Sequence, residues 1–432
     1  MTQGRRIVLH ELQERHGTTR DVLAVMETNE AQVLQDVRQL NERLRNSLGQ
    51  QEDVITVTPS GAWRADGVAG LVRLNQQIEL EVVPKFLDAG NEGWRQDLFL
   101  VAVLVRTGHL LHEEDMGADR SSEADLATLV GRALLRLVAA STRRPIRRYV
   151  KAGIQDFGVD GEVDWESVIL PDSDGFTATR LALSGRNEYN STLKTAAEIL
   201  IGEVADSETA AQLGRLARSF GDQPEVPVHF PTLPLRHRGW EGAYSLARLV
   251  VEGFGLDLST GRFVGPGFIL STWQSWEQLC HEIVRRALRG HKVVAQQGWI
   301  LGKRGAKDVF AYPDITPYLG ETTDFLMDAK YKVPAGSSQT IARPDVNEAV
   351  TFLHASGRRK IDLLYPSAKS PDDLPLGSWA VFDTITIPRD GWEIRGIEVQ
   401  IQGIGRRGGF GEVVRAARQA MDTRLRLHIA RD

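Results

Sequence analysis

From about Ser271 to the C-terminus, helical and extended patterns alternate, and this alternation constrains the fold more than any other feature of the chain. A helix pattern over about 271–289 precedes strand patterns at KVVAQQGWIL, DVFAYPDITPYL and TTDFLMDAKYK. The helix DVNEAVTFLHASG, the strands KIDLLYP, SWAVFDTITI and EIRGIEVQIQG, and the helix GEVVRAARQAMDTRLRL complete the run. Alternating elements bury their apolar faces by packing helices onto a central sheet, so residues 266–432 are expected to form an α/β domain. The whole chain, at 432 residues, has room for roughly two to four domains.

Composition narrows the class. An apolar fraction of 42% with 25% charged residues suits a folded, water-soluble protein and excludes a disordered or collagen-like chain. The single cysteine, Cys280, allows no intrachain disulfide and no cysteine-based zinc site. Without a run of about 18 apolar residues, or an apolar core in MTQGRRIVLHELQERHG, the expectation is a cytoplasmic protein with no membrane partner. Charge is unevenly spread. From Pro266 onward there are 23 Lys+Arg against 19 Asp+Glu, whereas the rest of the chain carries 29 against 38. A polyanionic partner therefore belongs with the C-terminal part.

Residues 1–66 read as a winged helix-turn-helix-like domain. RRIVLHELQERHG and TTRDVLAVMET are helix candidates; Asn29, with Gln32 three residues on, offers a cap for a third. Val33, Val37, Leu40 and Leu44 then form a stripe at helical spacing. DVITVTPSGAWRADG supplies a wing turning at Pro59-Ser60-Gly61, and the region resembles the recognition part of bacterial winged-helix regulators. Its third helix shows Gln32, Gln35, Arg38 and Gln39, usable on DNA, beside Glu30, Asp36 and Glu42, which phosphate repels; DNA binding, protein docking and a purely structural cap all stay open. Residues 67–265 are a mixed α+β middle domain, with strands in VAGLVRLNQQIELEVVPKF, several apolar helices and a proline-rich loop at GDQPEVPVHFPTLPLRHRG.

The chemistry concentrates in Pro313-Asp314 and Asp328-Ala329-Lys330. Side chains at i and i+2 of a strand share a face, so FLMDAKYK, read as a half-buried strand, places Asp328 beside Lys330. The intervening residues suffice for a hairpin that returns Asp314 to Asp328. Two converging carboxylates make an oxygen-donor site suited to Mg²⁺, with Mn²⁺ able to substitute. Such an ion polarises a phosphodiester and activates water, and Lys330 can orient that water or offset developing charge. Glu277 lies on the apolar face of STWQSWEQLCHEIVRRAL with Trp273, Cys280 and Val284, where a carboxylate calls for a partner or metal. Asp345 and Glu348 are candidates for the site's edge.

This pattern resembles the PD-(D/E)XK nuclease fold, and residues from about 67 to 366 resemble McrC, the nuclease subunit of McrBC-type modification-dependent restriction systems. The resemblance rests on IELEVVPKF, DLFLVAVLVRTGHLL, RRYVKAGIQDFGVDGEVDW, RNEYNSTLKTAAEIL, Trp276-Glu277, PDI, MDAKYK and LLYP at 363–366. It implies that Asp314, Asp328 and Lys330 are catalytic, that Glu277 joins the two aspartates at the metal, that double-stranded DNA is the substrate, and that the partner is an McrB-like AAA+ NTPase ring whose hydrolysis is stimulated. Residues 67–265 are then the ring-contacting part and 266–432 the nuclease domain. Two departures stand out: Glu348 occupies the place of a glutamine, and the N-terminal winged helix is not typical of the family. The rival readings are a non-catalytic activator of an AAA+ ring, which the complete Asp314/Asp328/Lys330 set disfavours, and a winged-helix regulator, which leaves residues 266–432 unexplained.

Cationic residues supply the remaining candidates. Arg285, Arg286 and Arg289, with Lys303, Arg304 and Lys307, suit phosphate contacts near a nuclease site. Arg143, Arg144, Arg147 and Arg148 suit either DNA or an acidic loop of the ring. Gly403-Ile404-Gly405-Arg406-Arg407-Gly408 has the form GxGxxG, but too little chain follows for a dinucleotide-binding unit; a turn, or a basic loop touching phosphate through Arg406 and Arg407, are the readings left. His109 and His112 fit no zinc spacing.

Overall fold

The computed structural model describes residues 5–26, 29–75, 77–87, 93–107, 126–158, 162–170, 172–253, 256–257, 262–263, 267–318, 325–332 and 340–429. It divides into two compact units, 1–126 with 264–432, and 127–263. His109 and His112 fall outside the described residues. Among those that are described, no helix is long and apolar enough to cross a membrane.

The first unit holds two main sheets. One is six-stranded, in the order Lys292–Ala295, Ile315–Tyr318, Phe325–Ala329, Lys360–Pro366, Trp392–Val399, Trp379–Ile387. The strands Phe325–Ala329, Lys360–Pro366 and Trp392–Val399 run parallel and the flanking pairs antiparallel. Helix Arg343–Ser356 contributes Ala349, Phe352 and Leu353 to a core with Leu326, Ile361, Leu363, Tyr365 and Ile394. Helix Thr272–Ala287 buries Trp276, Leu279, Cys280, Ile283 and Val284, and helix Gly409–Ile429 packs on it. The expected α/β arrangement is present. The Asp328 strand differs from its half-buried reading: Phe325, Leu326, Met327 and Asp328 are all buried, because a parallel strand inside a sheet is covered on both faces. KVVAQQGWIL and DVFAYPDITPYL each break in two. Their inner halves pair within the six-stranded sheet, and their outer halves, Trp299–Arg304 and Lys307–Ala311, form a separate hairpin.

The second sheet is four-stranded, in the order Arg5–His10, Ile78–Val83, Val68–Arg73, Gly267–Ser271. RRIVLH is therefore a strand, parallel to Ile78–Val83, and not the first of three helices. Ile7 and Leu9 are buried at a spacing of two, the period of a strand, and that short period decides against a helix. The second and third helices and the wing hairpin are present as elements. Helix Glu30–Leu48 is capped by Asn29, whose side chain accepts from the Gln32 amide, and Val33, Val37, Leu40 and Leu44 are buried. The hairpin Ile55–Val57 with Trp63–Ala65 turns at Gly61, where φ is +76°. Asn41 holds it to the helix, bonding both the amide and the carbonyl of Ile55. The core of this region continues through Val68, Val72, Leu74, Ile78, Leu80 and Val82, so no compact unit ends near residue 66.

In the second unit, helices Leu126–Ser141, Glu188–Ile201, Ser207–Ser219 and Glu241–Gly253 bury Leu134, Leu193, Ala197, Leu213, Leu246 and Val250. A three-stranded antiparallel sheet pairs Arg148–Asp156 with Phe176–Ser184 and that strand with Glu162–Val163. Helix Ser207–Ser219 was missed in the sequence although Asp206 caps it, accepting from the amides of Glu208 and Thr209.

Candidate functional site

The short loop before strand Ile315–Tyr318 carries Asp314, and the antiparallel pairing of Ile315 with Met327 returns it to Asp328. Each aspartate accepts from the other's neighbourhood. The Asp314 amide donates to Oδ1 of Asp328 (3.3 Å), and the Ala329 amide donates to Oδ2 of Asp314 (2.8 Å). Lys330 follows on the same face, its Nζ 2.5 Å from Oδ2 of Asp328 and 2.7 Å from Oε2 of Glu348. Its own amide donates to the Leu364 carbonyl (2.8 Å), which continues the parallel pairing past the strand's end.

Glu277 enters from helix Thr272–Ala287. It is half-buried at the rim of the apolar face, since Trp273 is exposed. Gln296 joins it to the pair: its side-chain amide donates to Oε1 of Glu277 (2.6 Å), and its backbone amide donates to the Asp314 carbonyl (2.9 Å). Gln296 has φ +46°, a conformation uncommon outside glycine. Sequence reading missed it; the Gln-Gln-Gly tract at a strand end is the only signal it leaves.

The electrostatics follow from burial. Desolvation pushes Asp314 up to about 6, reinforced by Glu277, and pushes Asp328 up to about 7, reinforced by Asp314. Glu277 is raised by burial and by Asp328. Lys330 moves the other way: Asp328 and Glu348 outweigh its desolvation and raise it well above the usual lysine value, so it stays protonated. Carboxyls driven upward by burial, and further by one another, fit a cation, which offsets both the lost hydration and the repulsion. No cluster of three or more His, Cys, Asp or Glu side chains closes around a point among the described residues. Asp314 and Asp328 offer oxygen donors of the kind that could hold an ion such as Mg²⁺ while it keeps waters and substrate oxygens.

Other candidates are placed elsewhere. Asp345 is buried and committed to Lys332 (2.7 Å) and to the Tyr365 hydroxyl (2.8 Å). Cys280 is a core residue whose thiol burial pushes up. Arg285 and Arg286 are held by Glu282 on their own helix, while Arg289 is exposed. Lys303, Arg304 and Lys307 are exposed at the end of the Trp299–Ala311 hairpin. In the second unit Arg143, Arg144 and Arg147 are exposed and Arg148 pairs with Glu188. The glycine loop is a turn: the amides of Gly403 and Gly405 both donate to Asp97 (2.7 Å each), which leaves them unavailable to phosphate. Arg406 pairs with Glu412, and Arg407 is exposed.

A mixed α/β, multidomain protein with a buried carboxylate pair, a helix glutamate and a protonated lysine at one strand end is the class these features define. The model of the McrBC 5-methylcytosine restriction system component family matches residues 63–366, and the chain belongs to that family. Its fold is also that of a solved chain in a refined half-complex from the tetradecameric assembly of Thermococcus gammatolerans McrB AAA+ hexamers with bound McrC. The TM-score is 0.69 at 15% identity, over 97% of this chain and 100% of that one. A second likeness is to the cryo-EM structure of the Thermococcus gammatolerans McrBC complex, with a TM-score of 0.50 at 14% identity, over 67% and 89% of the two chains. No curated protein matches. The resemblance to McrC drawn from PDI, MDAKYK and LLYP is borne out, and the shared fold extends over most of the N-terminal region that the family model leaves out.

Proposed function

We propose that the chain is the Mg²⁺-dependent DNA endonuclease subunit of a McrBC-like restriction system in the cytoplasm, cleaving double-stranded DNA with an McrB-like AAA+ NTPase. The observation that carries this is the convergence of Asp314, Asp328 and Lys330, with Glu277 linked to them through Gln296. Asp314 and Asp328 would hold the ion, with Glu277 supporting once released from Gln296; the bound ion supplies phosphate polarisation and an acidified water. Lys330, kept protonated by Asp328 and Glu348, serves as a fixed positive charge for the phosphate and not as a base. Glu348 helps hold that charge, which gives the acid at the family's glutamine position a use.

Partnership with a ring is supported by the assembly in which the similar fold occurs and by the second unit's surface. One face of its sheet exposes Tyr149, Lys151, Leu181 and Leu183, an apolar patch of the kind that marks an interaction site. The nuclease reading is separated from the activator reading by Asp314→Ala, assayed with the AAA+ partner. The variant should still stimulate nucleotide hydrolysis while failing to cut DNA. Undiminished cutting would refute the assignment.

A further inference from the structure

We infer that Glu11, a residue outside the family match, is a positioning residue of the nuclease centre: its buried carboxylate ties the chain just after Lys330 to the start of the helix that carries Glu277. The inference rests on the nuclease reading and adds to it the way the N-terminal region takes part.

Glu11 is 1% exposed, a burial at which a carboxylate is costly unless its oxygens are satisfied. They are satisfied from three distant segments. The Thr272 hydroxyl donates to Oε1 (2.7 Å), the Tyr331 hydroxyl to Oε2 (2.5 Å), and the Lys85 amide also to Oε2 (3.2 Å). Thr272 is the first residue of the Glu277 helix, and Tyr331 is the neighbour of Lys330. One side chain therefore fixes the spacing between the two arms of the site.

The surroundings hold the same registration. Lys85 lies 3.9 Å over the Tyr331 ring, and its Nζ donates to the Tyr331 carbonyl (3.1 Å). Phe86 meets the Tyr331 ring edge-on at 5.4 Å and packs on Trp276. Trp276 donates to the Leu364 carbonyl, the acceptor also used by the Lys330 amide. The backbone of Glu11 is pinned as well. Its amide donates to Val83, and the next amide donates to Ala65 while Leu12 takes a left-handed φ of +66°. A leucine in that conformation is held there by its surroundings. An apolar side chain in place of Glu11 would fill the space without setting the Tyr331 hydroxyl against Thr272, so the carboxylate contributes geometry as well as packing.

Glu11→Gln tests this in the full chain with its AAA+ partner, nucleotide and a plasmid carrying 5-methylcytosine. The amide keeps the shape but leaves one acceptor oxygen where the carboxylate has two, so the Thr272 and Tyr331 hydroxyls can no longer both donate to it without one of them turning to accept. Cleavage kcat should fall about 10- to 100-fold, as for other residues that orient a catalytic group, with KM within about 2-fold and nucleotide hydrolysis unchanged. Tyr331→Phe should cause a similar loss, and the double variant should be no worse than either single one. Independently of activity, hydrogen exchange in residues 325–332 should speed up in Glu11→Gln. Should Glu11→Gln fail to fold, Tyr331→Phe, which deletes one hydroxyl, carries the same expectations. The inference is overturned if kcat stays within about 2-fold of wild type while Asp328→Asn is inactive, or if the two losses multiply. If Asp328→Asn cuts normally, the nuclease reading is what fails, and the exchange result alone decides whether Glu11 holds the strand.

Discussion

Replacing Asp328 by Asn should stabilise the metal-free protein at neutral and alkaline pH, because the fold buries this carboxyl away from water and beside Asp314. In the fold the Asp328 carboxyl is pushed from 3.8 up to about 7. A carboxyl whose folded value is raised favours the fold below its free value, and this contribution is lost as pH rises through the folded value. A rise of roughly three units at about 1.36 kcal/mol each sets an upper bound of about 4 kcal/mol, reached above pH 7. Part of the rise comes from Asp314, so about 2–4 kcal/mol is the range expected for one substitution. Asn is neutral at every pH and keeps an acceptor for the Asp314 amide, and Lys330 retains Glu348. Urea unfolding in chelator, followed by tryptophan fluorescence, measures the difference. The variant should exceed wild type at pH 8, and the excess should shrink by more than half at pH 5. Mg²⁺ should narrow the gap by stabilising wild type alone. An Asn variant no more stable than wild type at pH 8, or a gap indifferent to pH, would refute the picture of a buried, crowded carboxylate that a cation relieves.

Three further outcomes are expected. Cleavage at limiting Mg²⁺ should rise between about pH 5.5 and 8, since Asp314 and Asp328 must ionise from about 6 and about 7, and more Mg²⁺ should move the midpoint lower; a flat profile would count against carboxylate-held metal. Gly405→Ala should lower the melting temperature measurably, because a Cβ there would stand 2.7 Å from the Gln96 carbonyl; an unchanged melting temperature would mean that the Asp97 turn yields easily. Replacing Lys303, Arg304 and Lys307 with Ala should weaken DNA binding for all sequences alike and make the salt slope shallower by up to about three, and an unchanged slope would remove the hairpin from the DNA path.

What the sequence disclosed was local, and what it concealed depends on distant residues. Asp314, Asp328 and Lys330 were legible because a hairpin and a two-residue strand period place them together. The Asn29 cap and the Val33–Leu44 stripe were legible for the same reason. The Arg5–His10 strand was not, since its hydrogen-bonding partner is Ile78–Val83. The meaning of the glycine loop was hidden in Asp97, some 300 residues earlier, and that of Glu11 in Tyr331 and Thr272. The half-buried reading of FLMDAKYK failed because a parallel neighbour, Lys360–Pro366, lies beyond a whole helix.

The central claim is that this carboxylate pair cuts DNA with a bound divalent ion. The most direct test follows the cleavage of a 5-methylcytosine plasmid over time by the full chain with its AAA+ partner and nucleotide, for wild type and Asp328→Asn, in Mg²⁺ and in chelator. The account predicts cutting only by wild type in Mg²⁺, with both proteins folded and both stimulating hydrolysis. Cutting by Asp328→Asn at the wild-type rate, or cutting by wild type in chelator, would contradict it.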